Sequence, residues 1–160
     1  MRLLIAAVGK LKQGPERELF AHYLGRAETE GRKLKLSPID AIEVAQSKDA
    51  AARERVAAEG AALLRKVPLT YRIIALDRRG ETLSSEAFAA FLAKLRDGGA
   101  EGAAFLIGGA DGLSAEVSAR AAKAISFGAM TLPHGLARIV LAEQIYRAAT
   151  ILAGHPYHRA

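Results

Sequence analysis

Short, continuous apolar runs alternate with longer amphipathic stretches along the whole chain. Residues 2–8, 71–76 and 103–107 have the length and composition of buried strands. Residues 33–44 are β-prone but mixed and contain Pro38, which favours an edge strand or a strand with an irregular start. Because apolar strands that alternate with helices form parallel sheets covered on both faces, the pattern predicts an α/β fold with a mostly parallel sheet flanked by helices.

Apolar positions at helical spacing predict five helices between and after these strands. The helices cover residues 15–31, 47–66, 85–97, 114–124 and 133–153. Pro15 suits a first helical position, and Ser47, Ser84 or Ser85, and Ser114 suit N-caps. The tetrapeptide at residues 77–80 (DRRG) predicts a turn, and residues 125–127 with 129–132 predict a short strand and its exit.

The composition indicates a soluble protein built as one domain, residues 1–160. Hydrophobic residues make up 51% of the chain, and cysteine is absent, which excludes disulfides and thiolate metal sites. The apolar run at residues 3–8 is too short for a signal or a membrane span, so we expect no membrane partner and a cytoplasmic location. The net charge of +6 is compatible with a phosphate-bearing partner but does not establish one.

The last predicted helix is apolar on most of its circumference. Its apolar positions fall on two sides, Leu136, Val140 and Ile151 on one and Leu141, Ile145 and Leu152 on the other. One side is expected to pack on the sheet and the second to meet another subunit. Glu143 and Arg147 form an i,i+4 pair on the outward side, for which a structural ion pair at a dimer interface is favoured over a catalytic role.

Ligands of open parallel sheets bind beyond the carboxyl ends of the strands. Three such ends stand out, at residues 76–77, 107–109 and 127–132. The glycines at 108, 109 and 112 either let a ligand approach the backbone or permit a tight turn. No phosphate-binding motif accompanies them, which disfavours a kinase or dehydrogenase. The loop contains Asp111 and no Lys or Arg, so a ligand with an adenosine and a cationic end, such as S-adenosylmethionine, suits it better.

The C-terminal tail, residues 155–159 (HPYHR), follows Gly154. Because it contains Pro156, it cannot continue the helix. The tail is either an idle terminus or a segment that stacks on a base, contacts phosphate or exchanges a proton. A metal site is disfavoured because no carboxylate accompanies the histidines. His134, at the start of the last helix, is either a substrate contact or a structural residue.

Several segments together resemble a known family over the whole chain. They are residues 76–80 (LDRRG), 84–89 (SSEAFA), 105–113 (FLIGGADGL), 130–138 (MTLPHGLAR), 143–148 (EQIYRA) and 156–159 (PYHR). On these residues the chain resembles the small SPOUT-class, or α/β-knot, RNA methyltransferases. Within that class it resembles the type that methylates N3 of a pseudouridine in 23S ribosomal RNA.

The resemblance implies a C-terminal trefoil knot, a homodimer and S-adenosylmethionine as methyl donor. The cofactor contacts of the family map onto Leu76, Gly108, Phe127, Gly128, Ala129, Met130, Thr131 and Leu132. Family members often carry Leu-Ser where this chain has Phe127-Gly128. The RNA-side catalytic role maps onto the tail residues Tyr157, His158 and Arg159. The implied substrate is ribosomal RNA in the assembled ribosome. The competing function is a non-catalytic ribosome-binding or assembly factor, which the intact glycines and tail disfavour.

Overall fold

The structure, a computed structural model, describes residues 1–159 except for the side chains of His158 and Arg159. Its strands are β1 (Arg2–Val8), β2 (Ile39–Val44), β3 (Tyr71–Thr82), β4 (Gly102–Ile107) and β5 (Lys123–Ser126). Its helices are α1 (Pro15–Lys33), α2 (Ala52–Lys66), α3 (Ser85–Asp97), α4 (Ala115–Arg120) and α5 (His134–Leu152). A 3₁₀ turn, Pro156–Arg159, follows α5. The predicted alternation of strands and helices is confirmed.

Within the described residues the strands form one five-stranded sheet in the order β2-β1-β4-β3-β5. All of the pairings are parallel, as the alternation predicted. Strand β2 is an edge strand, as its mixed composition and Pro38 indicated, although it begins only at Ile39. The α/β class and the flanked parallel sheet are therefore confirmed.

Helices cover both faces of the sheet because the strands are apolar on both faces. Helix α5 packs between α1 and α3 on one face, while α2 and α4 cover the other. The first face includes Ile5, Phe105 and Leu141 in its core, and the second includes Leu4, Leu63 and Leu106. Successive residues of one strand thus enter opposite cores, as the two-residue period of a strand requires.

The prediction that residues 77–80 end the third strand was wrong. Strand β3 continues to Thr82 and pairs again with β5 after a register shift between Leu76 and Glu81. A Cβ on Gly80 would lie 2.6 Å from the backbone nitrogen of Ile125, so only glycine fits this contact. The turn signal reflects a real local feature, because Asp77 Oδ1 accepts a hydrogen bond from Arg79 N at 2.8 Å. The feature is an irregularity within a strand.

Two predicted helices also differ in length from those observed. Helix α2 begins at Ala52 because Ser47 forms a local turn, in which its hydroxyl donates to Asp49 at 2.6 Å and does not cap the helix. Helix α4 ends at Arg120 because Ala122 N donates to Ile73 O at 2.8 Å, which draws the chain into the sheet. The predicted caps Ser84 and Ser114 are confirmed, since both accept hydrogen bonds from the helix amides.

Candidate functional site

The three strand ends singled out in the sequence lie side by side. Leu76 of β3 pairs with Ile107 of β4 on one side and with Ile125 of β5 on the other. Gly108 directly follows β4, and residues 127–132 directly follow β5. The parallel register therefore brings all of the predicted cofactor residues to the carboxyl end of the sheet.

A cleft opens beside these strand ends, between β5, the start of α3 and the middle of α5. Its volume is about 240 Å³. It is lined by Thr82, Leu83, Ser85, Phe88, Ile125, Ser126, Phe127, Val140 and Gln144. The walls combine apolar surface with hydroxyl and amide groups, which is the composition of sites for ring-containing ligands. Phe127 is the predicted cofactor residue that lines the cleft.

The other predicted cofactor residues lie around the cleft and do not line it. Leu76 and Gly108 are half-buried at their strand ends, and Gly128 and Leu132 are also half-buried. The side chains of Ala129, Met130 and Thr131 are exposed, Met130 to 85%. The backbone of Gly128 is held by Ser126, whose Oγ accepts from Gly128 N at 3.1 Å and donates to Gly128 O at 3.0 Å.

Gly108 is required by close approach to backbone within the protein itself, and Gly109 lies close to a side chain. A Cβ on Gly108 would lie 2.5 Å from the carbonyl oxygen of Gly112, and a Cβ on Gly109 would lie 2.9 Å from Glu59 Oε2. Gly112 has a φ of +85°, which side chains rarely adopt. The tight-turn interpretation is thus sufficient for these glycines, and the ligand contact at Gly108 stays a prediction.

A chain of hydrogen bonds joins the cleft to the C-terminal tail. Ser85 Oγ donates to Gln144 Oε1 at 2.8 Å, and Gln144 Nε2 donates to Glu143 Oε2 at 2.7 Å. Glu143 Oε1 accepts from Arg147 Nε at 2.9 Å and from the Tyr157 hydroxyl at 3.2 Å. Because a carboxylate only accepts, the amide orientation of Gln144 is set by Glu143. The predicted ion pair of Glu143 and Arg147 thus also holds the tail, because Glu143 accepts the hydrogen bond from Tyr157.

Tyr157 packs between aromatic and cationic groups of α5 and α1. Its ring centroid lies 4.5 Å from that of Tyr146, and the guanidinium carbons of Arg147 and Arg26 lie 4.9 and 5.6 Å from it. Burial, followed by the negative charge of Glu143, raises the pKa of Tyr157 to about 12. At neutral pH the phenol is therefore protonated and serves as a hydrogen-bond donor.

The start of α5 is anchored by a buried arginine. Arg138 is 2% exposed, and its Nη2 donates to the carbonyl oxygens of Val8 at 3.1 Å and Gly9 at 2.6 Å. Its Nη1 donates to Glu43 Oε2 at 3.1 Å. His134 Nδ1 lies 3.2 Å from Arg138 Nη2. A guanidinium has no acceptor, so Nδ1 accepts and the ring proton resides on Nε2. This contact supports the structural role of His134, and its role as a substrate contact stays a prediction.

The remaining site predictions concern the tail and the turn beside the cleft. The side chains of His158 and Arg159 lie outside the described residues, so their predicted role stays a prediction. In the irregular part of β3, hydrogen bonds from Arg79 lower the pKa of Asp77. Ser126 Oγ in the cleft wall donates to Arg78 O at 3.2 Å, which ties this turn to the cleft.

Three polar residues at this edge were missed by sequence reasoning. Gln144 and Ser85 are hydrogen-bonded although their helices are far apart in sequence. Glu59 is buried next to the glycine loop, residues 108–112. No local signal marks such contacts, because an isolated Gln or Glu on a helix normally faces solvent. The spacing of four residues between His134 and Arg138 was a usable signal that both face the same direction.

No helix in the described part of the chain is long and apolar enough to cross a membrane. The same residues contain no group of three or more His, Cys, Asp or Glu side chains placed to hold a metal ion.

Comparison with known proteins gives a consistent match over the full chain. Residues 1–158 match a family model described as predicted SPOUT methyltransferase. A protein of Xanthobacter autotrophicus named ribosomal RNA large subunit methyltransferase H is 54% identical, with all of both chains covered. Proteins of the same name from Rhodopseudomonas palustris and Nitrobacter winogradskyi are 54% and 52% identical, over 100% and 99% of both chains.

Proposed function

The chain belongs to the SPOUT methyltransferase family, and on that premise we propose that it methylates N3 of a pseudouridine in large-subunit ribosomal RNA with S-adenosylmethionine. Relatives about half identical over the full length are named large-subunit ribosomal RNA methyltransferases, and this chain is an enzyme of that kind. The methyl donor and the target nitrogen are the finer parts of the proposal.

The observation that carries the proposal is the convergence of Leu76, Gly108 and residues 127–132 at neighbouring strand ends. The residues present there fit S-adenosylmethionine. The apolar cleft walls suit the adenine ring, and the hydroxyl and amide groups of Ser85 and Gln144 suit polar groups of the ligand. The glycine loop brings no cation that would repel a sulfonium. Calorimetric titration of the protein with S-adenosylmethionine tests this assignment.

When bound, S-adenosylmethionine supplies a methyl group that is activated by a positively charged sulfur. The protein must then hold the target nitrogen in line with that methyl and assist the loss of the N3 proton. Gln144 is held from both sides and offers its remaining donor to the cleft. Tyr157 stays protonated, so we assign it a positioning hydrogen bond and not the removal of the proton.

The tail is proposed to close over the cofactor and to contact the RNA through Tyr157, His158 and Arg159. Its connection to the cleft wall through Glu143 and Gln144 supports this assignment. Tyr157→Phe and His158→Ala variants should retain binding of S-adenosylmethionine and lose methyl transfer. Wild-type turnover in both variants would remove the tail from the mechanism.

The proposed substrate is the assembled ribosome, which implies work in the cytoplasm. A domain this small, with a net charge of +6, offers little surface with which to select a nucleotide, so we expect it to read the shape of a particle as well as a sequence. The decisive experiment is methyl transfer to ribosomes from cells that lack the protein, followed by mass mapping of the modified nucleotide. Efficient methylation of a short free hairpin would count against the particle.

The same experiment separates the competing function. A protein that binds these ribosomes but neither binds S-adenosylmethionine nor transfers a methyl group would be a non-catalytic ribosome-binding factor.

We also propose a homodimer through the outward side of α5. Leu141 and Ile145 lie in the core, whereas Leu136 is 42% exposed. Ile151, which was predicted on the outward side, instead packs partly against the core. A Leu136→Arg variant should sediment as a monomer in analytical ultracentrifugation. Leu69→Arg is the matched control, because Leu69 is 89% exposed and lies just before β3, at the amino end of the sheet.

The trefoil knot is inferred from the family.

A further inference from the structure

Two side-chain nitrogens from separate segments converge beside the turn after β1. Gly9 directly follows that strand, and the position that a Cβ on it would occupy is bordered by His134 and Gln46. His134 Nε2 lies 3.6 Å from this position, and Gln46 Nε2 lies 3.7 Å from it. One nitrogen comes from the start of α5 and the other from the loop after β2, and both are close enough to contact one group of the size of a phosphate.

Both of these nitrogens are available as donors. Arg138 Nη2 lies 3.2 Å from His134 Nδ1, so the proton of the neutral ring resides on Nε2. Because Arg138 also donates to Val8 O and Gly9 O, it fixes the imidazole relative to β1. Gln46 is exposed, and its amide forms no hydrogen bond within the described part of the chain.

The loop between β1 and α1 adds positive charge beside these donors. Residues 9–17 contain three cations, Lys10, Lys12 and Arg17, and one carboxylate, Glu16. Lys10 is the next residue after the turn glycine. Both lysines are exposed, and among residues 1–157 neither forms an ion pair. Their charges are therefore available to a partner.

Leu11 anchors this loop between its two exposed lysines. Its side chain is 6% exposed, and its backbone N donates to Glu43 Oε2 at 2.7 Å. The same carboxylate oxygen accepts from Arg138 Nη1 at 3.1 Å, so its charge is already compensated. The loop thus presents its lysines from a fixed position, which lowers the entropic cost of binding an anion.

Groups that donate hydrogen bonds, next to cations without partners, are those that bind phosphate oxygens of nucleic acids. On the basis of the proposed function, we propose that His134 Nε2, Gln46 Nε2 and the Lys10 ammonium bind a backbone phosphate of the ribosomal RNA. The two neutral donors fix the position of the phosphate, and Lys10 supplies the charge that attracts it.

This phosphate site lies at the same end of the sheet as the proposed cofactor segment. Residues 127–132 run from the end of β5 to Pro133, which directly precedes His134. Strand β1 is three strands away from β5, which corresponds to about 14 Å at the usual strand spacing. Since the cleft lies beside β5, the bound phosphate belongs to the RNA that flanks the target nucleotide.

The test measures the Kd of the protein for ribosomes from cells that lack it, across about 50–200 mM salt. Lys10→Gln removes one charge, so we expect a higher Kd at low salt and a slope of log Kd against log salt that is smaller by about 0.7–0.9. His134→Asn keeps an acceptor for Arg138 and removes the Nε2 donor. We expect its Kd to rise about 10-fold with an unchanged slope, because no charge is lost.

Lys66→Gln is the matched control for charge. Lys66 is exposed at the end of α2, just before β3, and thus lies at the amino end of the sheet. This variant should keep the wild-type Kd and slope. All three variants should keep the wild-type Kd for S-adenosylmethionine in calorimetric titration, because the phosphate site lies apart from the cleft.

Each other outcome is distinct. Wild-type ribosome binding by both Lys10→Gln and His134→Asn would overturn the assignment, and so would an equal loss in Lys66→Gln. A weaker affinity for S-adenosylmethionine would assign the donors to the carboxylate of the cofactor instead. Dissociation of His134→Asn into monomers would assign them to the subunit interface. If the wild-type protein neither binds nor methylates ribosomes, the proposed function itself fails, and the phosphate site fails with it.

Discussion

Helix α5 carries two arginine–glutamate pairs that differ in almost every physical respect. At its start, Arg138 is 2% exposed and reaches Glu43 of the edge strand β2, together with two carbonyl oxygens of β1 and the loop after it. Near its end, Arg147 and Glu143 are one turn apart, with side chains 20% and 15% exposed. The first pair joins segments that are distant in sequence, and the second joins neighbours and the tail.

The difference teaches which end of the helix is fixed and which end is adjustable. Arg138 satisfies carbonyl groups that would otherwise be buried without partners, so its loss leaves several groups uncompensated. Arg147 remains in contact with solvent, where an ion pair contributes little. We therefore expect the start of α5, beside the proposed cofactor segment, to be rigid. The end of α5, beside the tail, can exchange partners at low cost.

The largest effect is expected from Arg138→Met. Removing Arg138 takes away the donor to the carbonyl oxygens of Val8 and Gly9 and leaves Glu43 with Leu11 N as its remaining donor, so we expect the free energy of unfolding to fall by about 3 kcal/mol. Urea denaturation measures this. Arg147→Met is the matched control, expected to cost about 1 kcal/mol or less. Equal losses in the two variants would remove the distinction between the two ends of the helix.

A smaller effect is expected from Glu143→Gln. This carboxylate accepts hydrogen bonds from Arg147, Gln144 and Tyr157, and we expect its replacement to cost about 1 kcal/mol. The change should also speed amide hydrogen exchange in residues 153–157, because the tail loses its acceptor. Glu43→Gln should leave exchange in the tail unchanged. Unaltered exchange in Glu143→Gln would show that ring packing alone holds the tail.

The smallest effect on stability is expected from Tyr157→Phe at neutral pH. The substitution keeps the packing on Tyr146 and loses one hydrogen bond, so we expect a loss of about 0.5 kcal/mol. Thermal unfolding followed by circular dichroism measures it. A loss as large as that of Glu143→Gln would mean that the hydroxyl dominates docking of the tail.

Docking of the tail should also depend on pH in the alkaline range. The folded pKa of Tyr157 is raised from 10.0 to about 12, so the folded state holds this proton more tightly than the unfolded state. The contribution to stability is then fully present below pH 10 and is lost as the pH rises through about 12. Absorbance of tyrosinate should show a step near that pH that disappears in Tyr157→Phe. A wild-type titration in which every tyrosine has its midpoint near the ordinary value of 10.0 would contradict the buried environment.

Much of the fold could be predicted because buried strands and helix faces need apolar residues, and these form patterns that are visible in the local sequence. Strand β1 is apolar at every position except its first, Arg2, and β4 is apolar after its first residue, the small Gly102. Burial on both faces requires this composition. The rule that ligands lie at carboxyl ends of parallel strands singled out the strand ends at residues 76–77, 107–109 and 127–132. The structure adds that these ends are neighbours in the sheet. What failed was local: Asp77 and Gly80 were interpreted as a turn, although they lie inside β3.

The sequence by itself determined the parallel α/β architecture, the strand ends and, through resemblance, the family. These depend on periodicity, on capping residues and on motifs, all of which are local along the chain. Only the tertiary structure decided that Arg138 reaches Glu43, that Gln144 meets Ser85 and that Glu59 faces Gly109. The physical reason is that a charged or amide side chain has no preferred neighbour until packing selects one. For these residues, the fold selects a partner that no spacing in the sequence encodes.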